Sequence, residues 1–238
     1  MHIHAPLDHI AFDNAWRTRS PIDKLVFGGG LLLLASLLPA KPWSVAIFAA
    51  AATAALAGAR IQVRSWLRFL APQIGFLSAA LLPLLWAGSW ERAATAWMRG
   101  AAAAACMTLL AMTTPVPDLL LAARRARVPA VLIELAFLVY RLIASIWELL
   151  ERLRLGLDIR LRGGRPSLRL AALSAGNLLA RTIRTARRVE RGASLRGLDG
   201  FPMMAPRAET SRAFLVSAVA LHASLLAAAI YFRSRFPW

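Results

Sequence analysis

The chain has 238 residues, 58% of them hydrophobic, and carries 29 Lys and Arg against 12 Asp and Glu, for a formal net charge of +17. A soluble domain of this length would hold more apolar surface than it could bury, which excludes an ordinary globular fold and points to lipid. A single cysteine, Cys106, excludes a disulfide framework and a cysteine-rich metal site.

In chain order, the first 22 residues are polar and end in Arg19-Ser20-Pro21. The apolar run that follows starts late for a secretory leader, so it is expected to be retained as a span. Met1-His2-Ile3-His4 and His9 supply imidazoles, but their spacing fixes no coordination geometry and no metal site is assigned to them. Five apolar stretches, 22–39, 43–59, 66–87, 93–114 and 211–232, approach or meet the roughly 20 residues a helix needs to cross a bilayer. Pro72 and Pro83 inside the third should bend it, either as packing kinks or as a hinge. The run Ala101–Ala105 lets neighbouring helices approach closely. His222, alone in the last stretch, reads as a hydrogen-bonded packing residue.

Arginine and lysine near span ends set orientation. Arg17, Arg19, Lys24, Arg60, Arg64 and Arg68 mark one side as cytoplasmic, whereas the alternate loops hold Lys41, Glu91 and Arg92 beside Trp86, Trp90 and Trp97, an aromatic belt. Arg99 is expected to reach outward to that belt's interface. After four spans the basic stretch 117–207 is again cytoplasmic. Arg233 and Arg235 then fall outside, against the trend. The expected domains are 1–116 with four spans, 117–207 as a cytoplasmic module and 208–238 with the last span.

Residues 129–150 are apolar, yet Glu134, Arg141 and Glu148 recur on one stripe, each costing about 2.5 to 3.5 kcal/mol near a bilayer centre. The opposite stripe, Leu132, Leu135, Val139, Leu142, Ile146, Leu149 and Leu153, has the spacing of a helix seam. The spacing therefore predicts a long amphipathic helix over 130–161 rather than a sixth span, ended by Gly163-Gly164. A second helix is expected from Pro166-Ser167 to Leu195, with Leu168, Ala171, Ala175, Leu178, Thr182, Ala186, Val189 and Ala193 inward. Arg181, Arg184, Arg188 and Arg191 line another of its faces as a basic ridge, suited to lipid headgroups or to acidic protein groups. The two helices finish alike, in Leu161-Arg162-Gly163 and Leu195-Arg196-Gly197. Arginine in a last turn and glycine beyond it make a helix cap; a capped end also projects a guanidinium stiffly toward a carboxylate-bearing partner.

With Arg19-Ser20-Pro21-Ile22-Asp23-Lys24-Leu25, Thr113-Thr114-Pro115, Asp118-Leu119-Leu120, Arg127-Val128-Pro129, Tyr140-Arg141 and the two Arg-Gly endings, the chain resembles the transmembrane T component of energy-coupling-factor transporters, specifically the Q-type subunit of cobalt permeases. The resemblance implies an all-α membrane protein of about five spans with a cytoplasmic module of long crossed coupling helices. It implies that Arg162, Gly163, Arg196 and Gly197 dock two ATP-binding cassette ATPase subunits, with the arginine ridge in support. Leu161 and Leu195 stand where the family usually has a small residue. It also implies a separate substrate-binding membrane subunit and an inner-membrane location.

The residues agree with that division of labour. No Gly-x-x-x-x-Gly-Lys-Ser/Thr loop occurs, and Gly28-Gly29-Gly30 lacks the lysine that would reach phosphates, so ATP hydrolysis is expected in partner chains and no cofactor in this one. The spans lack the carboxylates, imidazoles and thiols that would line an ion path, so the metal is expected to be held elsewhere. Two other readings stay open: a self-contained secondary transporter, and a membrane scaffold binding anionic lipid or an acidic protein. Nucleic acid is not expected, because no aromatic rings interleave with the module's arginines.

Overall fold

The computed structural model describes residues 10–39, 41–161, 168–195 and 210–235. Its described regular structure is helical: α1 Pro21–Leu37, α2 Trp43–Thr53 continuing as a π turn over Ala54–Gly58, α3 Val63–Ala80, α4 Leu82–Trp86, α5 Trp90–Thr113, α6 Val116–Arg125, α7 Ala130–Leu161, α8 Leu168–Leu195 and α9 Arg212–Arg235. The chain forms two compact units, one within Leu120–Ala205 and one combining Leu7–Leu119 with Pro206–Trp238.

In the second unit, a helix bundle, α5 packs against α1, α2 and α3, and α9 packs against α1. Small side chains make this possible: Ala51, Ala55, Ala101, Ala102 and Ala105 are all buried, so backbones approach where lipid offers no hydrophobic drive for association. A polar contact joins two of these helices, from Gln73 Nε2 of α3 to Thr108 Oγ1 of α5 at 3.0 Å. Large apolar side chains point the other way, with Leu33, Leu37, Phe76, Trp86, Val216 and Ile230 all exposed. Together with the composition, that outward apolar surface makes this a membrane protein.

Helices stand at all five expected span positions, but they are not equal. Val63–Trp86, 24 residues, and Arg212–Phe232, 21 residues, are long and apolar enough to cross a bilayer, while α5 qualifies only together with α6, from which it is bent by 96°. α1 has 17 residues and begins with the charged pair Asp23 and Lys24. α2 with its π turn is shorter still; it stops where Arg60 takes the left-handed conformation (φ 55°) and Ile61 N–H reaches back to the Ala55 carbonyl. The prolines act differently from one another: Pro72 is accommodated inside α3, whereas Pro83 follows a break at Leu81 and sits in the first turn of α4.

α1 lies between two neighbours because of its glycines. A Cβ at Gly28 would stand 2.6 Å from the Leu110 side chain of α5, and one at Gly30 would stand 2.5 Å from His222 Nε2 of α9. Nothing lies within 4 Å of such an atom at Gly29. His222 uses the close approach to hydrogen-bond the Phe27 carbonyl at 3.1 Å, which is the packing role expected of it.

Gly30→Ala should therefore destabilise the detergent-solubilised protein by about 1 to 3 kcal/mol through overpacking, whereas Gly29→Ala should be neutral or slightly stabilising through helix propensity. Thermal unfolding of the two variants side by side checks this, and adding His222→Ala to Gly30→Ala should recover part of the loss.

Candidate functional site

In the Leu120–Ala205 unit, α7 and α8 are 32 and 28 residues long and touch one another. Before them, α6 ends where Arg127 adopts φ 62° and Val128 N–H reaches the Ala123 carbonyl at 3.2 Å; Pro129 then blocks continuation and α7 starts afresh. Both long helices are described as far as Leu161 and Leu195. The four residues expected to dock a partner, Arg162, Gly163, Arg196 and Gly197, lie outside the described residues, as do His2, His4 and His9. Leu195, next to Arg196, is fully open to its surroundings at 87% exposure.

The ridge of α8 is as expected: Arg181, Arg184, Arg188 and Arg191 are all exposed, and Arg187 joins them. Leu178, Thr182 and Ala186 of the inward stripe are half-buried. The predicted seam of α7 requires correction. Leu132, Leu135 and Val139 are exposed, while Ile133 is buried and Glu134 half-buried. A heptad-spaced apolar stripe specifies a contact but not whether the same chain supplies it; here its first part, Leu132 to Val139, is open, while Leu142 and Ile146 further along are half-buried.

Sequence reasoning also missed a buried polar node in the bundle. Ser20, Asp23, Lys24, Thr113 and Thr114 are all buried. Lys24 Nζ donates to the Thr113 carbonyl at 2.8 Å, at the last residue of α5. Asp23 Oδ2 accepts from Ser211 N–H at 2.9 Å, just ahead of α9, and Thr210 Oγ1 donates to Ser20 Oγ at 3.5 Å. Asp23 Oδ1 has no hydrogen-bond partner among the described residues. Neighbouring residues of opposite sign thus meet two helix ends of opposite sign: the ammonium sits at the negative carboxyl end of α5, the carboxylate at the positive amino end of α9.

The segment ahead of α1, read from sequence only as polar, packs around this node. Ala11 and Trp16 are buried. Asn14 Nδ2 donates to the Met112 carbonyl at 3.2 Å, and Trp16 packs edge-on to Phe27 and Phe214. Arg19 covers the Phe214 ring at 4.3 Å. Arg99 does not simply reach outward: its Nη2 donates to the Leu38 carbonyl at 2.8 Å and so caps α1. Cys106 is buried, and among the described residues no three His, Cys, Asp or Glu side chains gather as a metal site.

A family model described as cobalt transport protein, CbiQ, matches residues 13–206, from the segment ahead of α1 through both long helices. The chain belongs to the CbiQ family of cobalt transport proteins. A curated relative, the cobalt transport protein CbiQ of Rhodobacter capsulatus, is 33% identical over 95% of this chain and 98% of its own length.

Because the α8 arginines are solvent-facing, changing Arg181, Arg184 and Arg188 together to Gln should leave stability within about 0.5 kcal/mol per site and helix content unchanged. Circular dichroism melts check this. A large loss would mean that the ridge is structural rather than a docking surface.

Proposed function

We propose that this CbiQ-family chain is the energy-coupling membrane subunit of an ATP-driven importer of transition-metal cations, cobalt in the first instance. Two ATP-binding cassette subunits dock at the tips that carry Arg162 and Arg196, with Arg181, Arg184, Arg188 and Arg191 in support. α7 and α8 pass the motion of those subunits to the spans and to a separate metal-binding membrane subunit. The module is cytoplasmic, the spans lie in the inner membrane, and no reaction is catalysed within this chain.

The observation that carries this reading is the family match over residues 13–206, which takes in the whole of both long helices. Other features support it. α1 and α9 run parallel, with Asp23 near Ser211 and Phe27 near Phe214, while α5 runs antiparallel to α1, with Lys24 near Thr113 and Arg99 near Leu38. That is the alternation required if the chain enters from the side marked by Arg17 and Arg19, leaves the bilayer toward the same side after α5, and re-enters at α9. The exposed Leu132, Leu135 and Val139 of α7 offer an apolar surface for a membrane partner, and the exposed ridge of α8 offers guanidinium forks for acidic groups.

Reversing charge at both tips tests the docking. Arg162→Glu with Arg196→Glu should release the ATPase subunits from the detergent-solubilised complex, reducing their co-purification at least about tenfold, as expected for loss of paired charged anchors. Retention at parental levels would sink the proposal. Uptake by this chain alone, driven by an ion gradient in proteoliposomes, would favour a self-contained transporter instead.

A further inference from the structure

We infer that Asp23 and Lys24 form a latch that fixes both connections between the bundle and the coupling helices, so that displacement of those helices is delivered to α1. The inference rests on the coupling reading above and adds to it the residues through which force enters the bundle.

The chain passes from the bundle unit to the other unit after Leu119 and comes back at Pro206. Close to the first crossing, Lys24 Nζ holds the Thr113 carbonyl. Close to the second, Asp23 Oδ2 holds Ser211 N–H and Ser20 Oγ accepts from Thr210. Both grips therefore come from one turn of α1, and both act on backbone groups at helix termini, where a displaced chain would be felt first.

Burial makes the grips stiff. Asp23 and Lys24 are 0% and 1% exposed, and a buried charge that loses its partner is not rescued by water, so neither contact can open at small cost. α1 is in turn held by Gly28 against Leu110 and by Gly30 against His222, which leaves it no room to yield independently of α5 and α9. A tug on either connection is thereby imposed on α1 as a whole. Each of the two buried charges needs a partner of its own, and what points to transmission is where those partners lie, one close to each crossing.

The test uses the full chain in its complex with the ATPase and metal-binding subunits. In Asp23→Ala, hydrogen exchange of peptides covering 206–214 should quicken by about tenfold, the loss expected for a charge-assisted bond to an amide. In Lys24→Met the same should hold for peptides covering 113–120. Both variants should retain the ATPase subunits and their ATP hydrolysis while metal uptake falls at least about fivefold. Asp23→Asn, which keeps an acceptor oxygen, should retain most uptake.

In an Asp23→Ala background, Ser20→Cys with Thr210→Cys should restore uptake when oxidised and lose it on reduction, which separates a missing latch from a misfolded chain. Unchanged exchange in Asp23→Ala, parental uptake in both single variants, or failure of the oxidised cross-link to restore uptake would each overturn the inference. Failure of the docking reading would show differently, as a parental chain that holds no ATPase, and the exchange rates would still decide whether the latch exists.

Discussion

A lysine and an aspartate buried side by side in an alanine-rich bundle tolerate very few arrangements. Lipid offers such groups no solvation, so each must find a fixed polar partner or the helices around it cannot assemble. Lys24 finds the final carbonyl of α5 and Asp23 finds the first amide ahead of α9. These two requirements fix which ends of α1, α5 and α9 lie together. The rest of the bundle follows, because Trp16, Phe27, Phe214 and Arg19 can pack as one aromatic and cationic layer only once those ends coincide.

The long helices were legible in the sequence because their signals are local. A proline-free amphipathic run that opens after Pro129 foretells α7 and its start, and the arginine spacing of α8 foretells its exposed ridge. Span positions were legible for the same reason. Their bounds were legible too: α1 opens at Pro21, behind its cap Ser20, where the stretch 22–39 begins, and α2 with its π turn closes at Gly58, just before the left-handed Arg60, where the stretch 43–59 ends.

What the sequence could not disclose is what depends on contacts between distant residues. Asp23 and Lys24 were visible as part of a family-like string, and so were Thr113-Thr114-Pro115 and Asp118, but nothing local says that the two strings meet. The one available hint was physical: two charges within the first turn of an apolar run demand partners. The stripe of Leu132, Leu135 and Val139 failed in the opposite direction. Its period announces an apolar contact, yet period carries no information about whether the covering surface belongs to the same polypeptide.

The two glycine contacts of α1 bear on how such a chain can diverge. Since position 28 is measured against residue 110 and position 30 against residue 222, enlargement on one side of either pair has to be met by shrinkage on the other. Relatives that abandon glycine at position 30 should accordingly lack a bulky ring at the site of His222. The first helix is thus free to change its lipid-facing side and nearly frozen on the two faces it shares.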